Sequence, residues 1–223
     1  MPEERITVHV RDTHSVTAVR TPAEGAAKRL RFVYAPGAGS GLSDAFGVYT
    51  AREIAAHGVE TWRFQFPYKE KGRSAPDPPT LLQATWLAVI DAVAARGAEP
   101  IVIGGRSMGG RIASMVVASG EVELAGLVLL AYPLVPPGRA TSDRAEHFPR
   151  IAVPTLFCSG TRDSFGTPEQ LREAGALVRH AMVHFLEGAD HGFATLKASG
   201  RTKDEVYAEA VETMLAFFEK LGF

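Results

Sequence analysis

Ile101-Val102-Ile103-Gly104-Gly105-Arg106-Ser107-Met108-Gly109-Gly110-Arg111 is the stretch on which the reading of this chain turns. A β-branched apolar run stops at glycines, a serine follows, two more glycines come next, and an amphipathic run extends from Arg111 to Ser119. The pattern predicts strand, sharp turn and helix, with Ser107 at the tip of the turn. Residues 105–109 fit G-x-S-x-G, a spacing in which a serine on a strained turn lifts its hydroxyl clear of the strand. Gly105 and Gly109 lack the Cβ that would collide across so tight a turn. The helix that begins at once aims free N–H groups and a positive dipole end at the serine. Roughly 0.1 chance matches are expected in a chain of this length and glycine content, so the motif needs support from elsewhere.

Outward from this stretch, elements alternate. Ile6, Val8 and Val10, then Val16 and Val19, predict an antiparallel hairpin at a sheet edge. Leu30 to Tyr34 reads as a strand that runs into Ala35-Pro36-Gly37-Ala38-Gly39-Ser40-Gly41, too glycine-rich for regular structure. Asp44 is the expected N-cap of a helix that reaches His57 and closes at Gly58. Thr61–Phe66 reads as a strand, and residues 67–79 as a basic, proline-rich loop. Thr80 or a neighbour is expected to cap an apolar helix from Leu81 to Ala95. Leu124–Leu130, Thr155–Ser159 and Met182–Leu186 read as strands, apolar enough for a sheet covered on both faces. Helices are expected at Pro168–Leu177 and Lys203–Leu221. The latter carries apolar rows at Val206, Ala210, Met214 and Phe217 and at Tyr207, Val211 and Phe218. Residues 131–154, with five prolines (Pro133, Pro136, Pro137, Pro149 and Pro154), read as irregular and predict a small lid or none. The alternation implies a single α/β domain over residues 1–223, with a mostly parallel sheet.

Composition narrows the function. A length of 223 residues suits one such domain. Net charge is −1 with scattered basic residues, which argues against a nucleic-acid or membrane partner. The N-terminus lacks a signal-peptide pattern, and the longest apolar run, Leu127 to Leu134, is too short to span a bilayer. The single cysteine, Cys158, allows no internal disulfide and fits a reducing cytoplasm. It lies in an apolar strand and is expected to be a buried thiol.

A serine hydroxyl needs a histidine to take its proton and a carboxylate to orient that histidine. Asp163, in Ser159-Gly160-Thr161-Arg162-Asp163, and His191, in Gly188-Ala189-Asp190-His191-Gly192-Phe193, each follow a strand, as Ser107 does. All three therefore belong on the C-terminal rim of the sheet, where such folds bind ligands. The chain order is serine, acid, histidine. Backbone N–H groups suit the developing oxyanion, from Met108 after the nucleophile and from Ala38 in the earlier loop, with Gly39 in reserve.

With these residues on the page, the whole chain resembles an α/β-hydrolase. Ala35-Pro36-Gly37-Ala38-Gly39, residues 104–111, Gly160-Thr161-Arg162-Asp163 and Gly188-Ala189-Asp190-His191 look like one subfamily. It contains small bacterial hydrolase-like proteins and the animal testis-expressed and NSL-complex hydrolase-like proteins. The size is also similar to that of dienelactone hydrolases, which carry cysteine at the elbow. The resemblance implies a hydrolase fold and a Ser107–Asp163–His191 triad. Pro36 departs from it, standing where many α/β-hydrolases have histidine.

Plainer roles compete at each position. Ser107 could be a buried structural serine, His191 a packed loop residue, and Asp163 a turn residue or the cap of the helix near Pro168. Asp190 is expected to serve a turn. His184, Asp190 and His191 lack a third strong ligand at metal-binding spacing, so no metal is expected. His147 is expected at the surface, with a place beside the substrate as its alternative; Tyr68 is a further candidate substrate contact. Arg106 is expected behind the nucleophile, holding loops, with substrate binding as its alternative. Lys69, Lys71, Arg73, Arg139, Arg144 and Arg150 lie on loops expected to border the site, where solvated charge is the default and a preference for anionic acyl groups the alternative. The reading as a whole is a cytoplasmic, cofactor-free serine hydrolase whose partner is a small acyl ester or thioester. A non-catalytic interaction protein and an amide- or peptide-cleaving enzyme are its rivals.

Overall fold

In the computed structural model, which describes residues 2–136 and 144–223, the expected alternation builds one eight-stranded sheet flanked by helices. The elements are β1 (Glu4–Val10), β2 (His14–Thr21), β3 (Arg31–Ala35), α1 (Ala45–Ala56), β4 (Glu60–Phe64), α2 (Pro67–Glu70) and α3 (Pro79–Ala94). They continue with β5 (Ile101–Arg106), α4 (Met108–Ser119), β6 (Gly126–Leu130), β7 (Thr155–Gly160), α5 (Pro168–Gly175), β8 (Ala181–Leu186) and α6 (Lys203–Lys220). The spatial order is β1-β2-β4-β3-β5-β6-β7-β8. β1 and β2 form the expected antiparallel hairpin and β2 joins β4 antiparallel; every later pairing is parallel.

Strand residues alternate between two cores, as the period of two demands. Val33, Ile103, Leu129 and Phe157 face the layer containing α3 and α4. Phe32, Val102, Val128 and Leu156 face α1 and α6. Both apolar rows of α6 are buried, which explains its length and period. Cys158 is buried as expected, and burial pushes its thiol up and out of reactive range.

Two local expectations need correction and a third holds. Residues 67–79 are not wholly loop: Pro67 starts the short helix α2, and Asp77 is buried, accepting the Tyr68 N–H at 2.7 Å and an Arg73 N–H. Thr80 does not cap α3. The N-cap is Pro78 without a side-chain bond, and Pro79 in the first turn has no N–H needing one. The described part of residues 131–154 holds only a 3-10 turn at Phe148–Arg150, in keeping with little or no lid. Pro137 and Arg139 lie outside the described residues.

Aromatic packing ties α1 to α6. Phe46, fully buried, sits 4.8 Å from the Tyr207 ring and 5.1 Å from the Phe193 ring, both edge-on. Phe46→Ala is expected to cost about 3–5 kcal/mol in urea unfolding. Leu177→Ala, at a half-exposed position, is expected to stay within about 0.5 kcal/mol of the parent. Equal effects would contradict this account of the core.

Candidate active site

The turn after β5 has the strained form its sequence implies. Ser107 adopts φ 52° and ψ −117°, a conformation rare for a residue with a side chain. It is held there by its N–H, which donates to the Leu130 carbonyl at 2.8 Å. Directly below, α4 packs so closely on the end of β3 that a Cβ on Gly109 would lie 2.3 Å from the Ala35 carbonyl oxygen. Trp86 of α3 donates from its indole N–H to the Gly109 carbonyl at 3.2 Å.

His191 reaches this serine from the loop after β8. Its Nε2 lies 2.9 Å from Ser107 Oγ, and its Nδ1 lies 2.8 Å and 3.0 Å from the two carboxylate oxygens of Asp163. The Asp163 side chain is fully buried. One of its oxygens also accepts the Phe165 N–H at 2.8 Å, so a turn role and the bond to His191 coexist. The helix-cap alternative for Asp163 does not hold, since Thr167 caps α5. Phe165 stacks on the imidazole at 4.1 Å between ring centroids, and Phe193 plugs the histidine loop into the core. Asp190 serves its turn, accepting the N–H groups of Gly192 and Ala194. His184 points elsewhere, with Nε2 2.7 Å from Glu209.

The glycine-rich loop after β3 lies against Ser107: a Cβ on Gly37 would stand 3.5 Å from Ser107 Cβ. Among the described residues, the N–H groups of Ala38 and Met108 donate to no protein acceptor. Gly39 is unsuited to its reserve role, because its N–H donates to the Tyr68 hydroxyl at 3.0 Å. That bond also corrects Tyr68, which is fully buried and braces this loop instead of meeting a substrate. Arg106 behaves as a brace too. Its Nη2 bonds Asp44 at 2.9 Å, and Asp44 also accepts from the Tyr34 hydroxyl at 2.8 Å while capping α1 through the Gly47 N–H. Burial, reinforced by the Asp44 carboxylate, pushes the Tyr34 phenol well up and keeps it a donor. None of these long-range braces has a sequence motif.

Two clefts meet at Ser107. One, about 260 Å³, is bordered by Gly37, Arg106, His191 and Gly192. The other, about 360 Å³, is bordered by Met108, Leu82, Ile112, Pro133, Arg111 and Arg144. Ala38 and Phe165 belong to both. Of the six loop cations expected near the site, Arg144 alone among the described residues lines either cleft.

A match to the α/β-hydrolase domain runs over residues 28–219, most of the chain. The chain belongs to the α/β-hydrolase family. Solved members share the fold at low identity. An α/β serine hydrolase homologue from Coxiella burnetii is 21% identical with a TM-score of 0.77, over 96% of this chain and 98% of that one. A serine hydrolase without lid from Xanthomonas campestris is 16% identical with a TM-score of 0.75, over 97% and 96%. The esterase domain of a Rhodothermus marinus protein is 14% identical with a TM-score of 0.71, over 96% of each. In this α/β-hydrolase, no described helix is long and apolar enough to cross a membrane.

His147 departs from its expected surface position and from any contact with the two clefts. It is buried, with Nε2 2.7 Å from Ser114 Oγ on α4 and its ring edge-on to Phe148. Ser114 donates its own proton to the Arg111 carbonyl at 2.7 Å, so the imidazole Nε2–H is the donor in this pair. Burial, then the charges of Arg111 and Arg150, lower the His147 pKa from 6.5 to about 4. A histidine depressed in the fold stabilises it fully above the unfolded pKa and loses that contribution as pH falls toward the folded one. Stability should therefore drop by up to about 3 kcal/mol between pH 6.5 and pH 4 on account of this group. In urea titrations across that range, His147→Gln should flatten the slope; an unchanged slope would refute the assignment.

Proposed function

We propose that this α/β-hydrolase is a serine hydrolase that cleaves a carboxylic ester or thioester of a small acyl substrate. The observation that carries the reading is the unbroken hydrogen-bond chain Asp163–His191–Ser107. Ser107 Oγ attacks the carbonyl carbon while His191 Nε2 takes its proton. Asp163 keeps the other imidazole proton on Nδ1 and so holds the productive tautomer. The N–H groups of Ala38 and Met108 donate to the oxyanion, supported by the N-terminal dipole of α4. The tetrahedral intermediate collapses, the C–O or C–S bond breaks, and the leaving group takes the proton from His191. Water then enters, deprotonated by the same imidazole, and releases the acid and free Ser107.

The two clefts divide the substrate between them. The leaving atom must approach His191 Nε2 to be protonated, so the leaving group belongs in the cleft bordered by His191 and Gly192. The acyl chain then belongs in the cleft on the Met108 and Ile112 side, whose walls are largely apolar.

A fluorophosphonate probe should label the protein at Ser107 and leave Ser107→Ala unlabelled. Asp163→Asn should fold normally yet lose about 10³–10⁴-fold in kcat on a 4-nitrophenyl ester through the wrong tautomer. Labelling that persists in Ser107→Ala, or no labelling at all, would overturn the reading.

A further inference from the structure

The acyl-side cleft holds a cation, Arg111, that has no counterion among the described residues. Arg111 lies in the first turn of α4, four residues after Ser107, and both line this cleft. Its Nε is buried without a hydrogen-bond acceptor. Among the described residues, no carboxylate lies within 4.0 Å of its guanidinium. This is an unfavourable place for an unpaired arginine. The first turn of a helix already presents positive charge, and a buried N–H without an acceptor loses its hydration for nothing. The other charges of the neighbourhood are engaged. Arg106 pairs with Asp44, and Asp77, which also borders this cleft, accepts from Arg73 and from the Tyr68 N–H. Arg144 adds a second cation at the rim, anchored by its Nη1 on the Pro133 carbonyl at 2.8 Å. The cleft is therefore apolar along Leu82, Ile112 and Pro133, and cationic at Arg111.

We infer that Arg111 is the specificity-determining residue for an acyl group bearing its own carboxylate, so that the substrate class is the monoester or monothioester of a dicarboxylic acid. This rests on the serine-hydrolase reading, because it places the acyl chain by reference to the reacting Ser107. The free carboxylate takes the two Nη groups of the guanidinium, which no described residue engages, in the bidentate geometry that arginine favours. The methylene chain lies on the apolar wall, and the scissile carbonyl reaches Ser107.

The test compares two esters of equal acyl length, 4-nitrophenyl hexanoate and the mono-4-nitrophenyl ester of adipic acid, on the parent protein and on Arg111→Met. The ratio of kcat/KM, adipate ester over hexanoate, should exceed one in the parent and fall at least tenfold in Arg111→Met. The same ratio should decline with added salt. Titration of adipate into the Ser107→Ala protein should give binding that Arg111→Met removes. Arg111→Met without ligand should melt no lower than the parent, an outcome that a structural role for this arginine would not produce. Should the methionine variant fail to fold, Arg111→Gln and Arg111→Lys replace it. A ratio that Arg111 substitution leaves unchanged overturns the proposal while the hydrolase reading stands. If neither ester is cleaved, the hydrolase reading fails and adipate binding decides. Arg111-dependent binding supports the carboxylate site, and its absence overturns it.

Discussion

The left-handed backbone of Ser107 is the constraint on which the rest of the site depends. A residue with a Cβ held at φ 52° costs of order 1–3 kcal/mol. It persists only where neighbours over-determine it. Here β6 accepts the serine N–H, β3 admits Gly109 against its last carbonyl, and α3 bonds the first turn of α4 through Trp86. These contacts need β3, β5 and β6 side by side, which is the centre of the observed order. The parallel pairings then bring the ends of β7 and β8 to the same rim, with Asp163 and His191. A Cβ on Gly160 would lie 2.1 Å from the Ala189 carbonyl oxygen, so the acid loop and the histidine loop close on each other as tightly as the elbow closes on β3.

What could be read from the sequence is what local backbone chemistry encodes. Apolar periodicity located all eight strands within a few residues. The glycines around Ser107 announced a turn that only they allow. Asp163 and His191 followed from chain order, because a parallel sheet puts every strand's C-terminal end on one side. The features that escaped are those whose partners lie far apart in the chain. Tyr68 bonds Gly39 across an interval with no periodic or compositional trace, and Arg106, expected to hold loops, does so through Asp44, a partner the sequence does not mark. Residues 67–79 look like solvated loop because charge and proline dominate, yet burial of Asp77 turns part of that segment into the floor of the site. His147 was misplaced for a similar reason. Its neighbours Glu146 and Arg150 suggest a surface, whereas Ser114 on α4 supplies the one polar partner that makes burial tolerable.

Asp44 shows how one carboxylate can integrate several levels of the structure. As an N-cap it begins α1; through Tyr34 it grips β3; through Arg106 it holds the last residue of β5 beside Ser107. The glycine-rich loop runs between β3 and α1, so its two ends are clamped by the same side chain. Tyr68 steadies the loop's middle at Gly39, which leaves the adjacent Ala38 N–H unoccupied. Under the oxyanion role proposed for Ala38, preorganisation of this sort matters, because backbone donors act on an oxyanion only if they are already aimed when charge develops.

The two arginines that flank the elbow have opposite electrostatic standing. Arg106 is neutralised by a buried acid and contributes rigidity; Arg111 lines the cleft of Met108 and Ile112 with no counterion among the described residues. A cation that holds only the distal carboxylate makes the same contact before and after the carbonyl becomes an oxyanion. Its hold on a distal carboxylate is then equal in ground state and transition state. Uniform binding of that kind lowers KM and leaves kcat to the triad and the oxyanion donors. Under the assignment of Arg111 to a dicarboxylic acyl group, selectivity and chemistry are thus carried by separate groups: Arg111 on α4 holds the carboxylate, and the proposed Ser107–His191–Asp163 triad acts at the carbonyl.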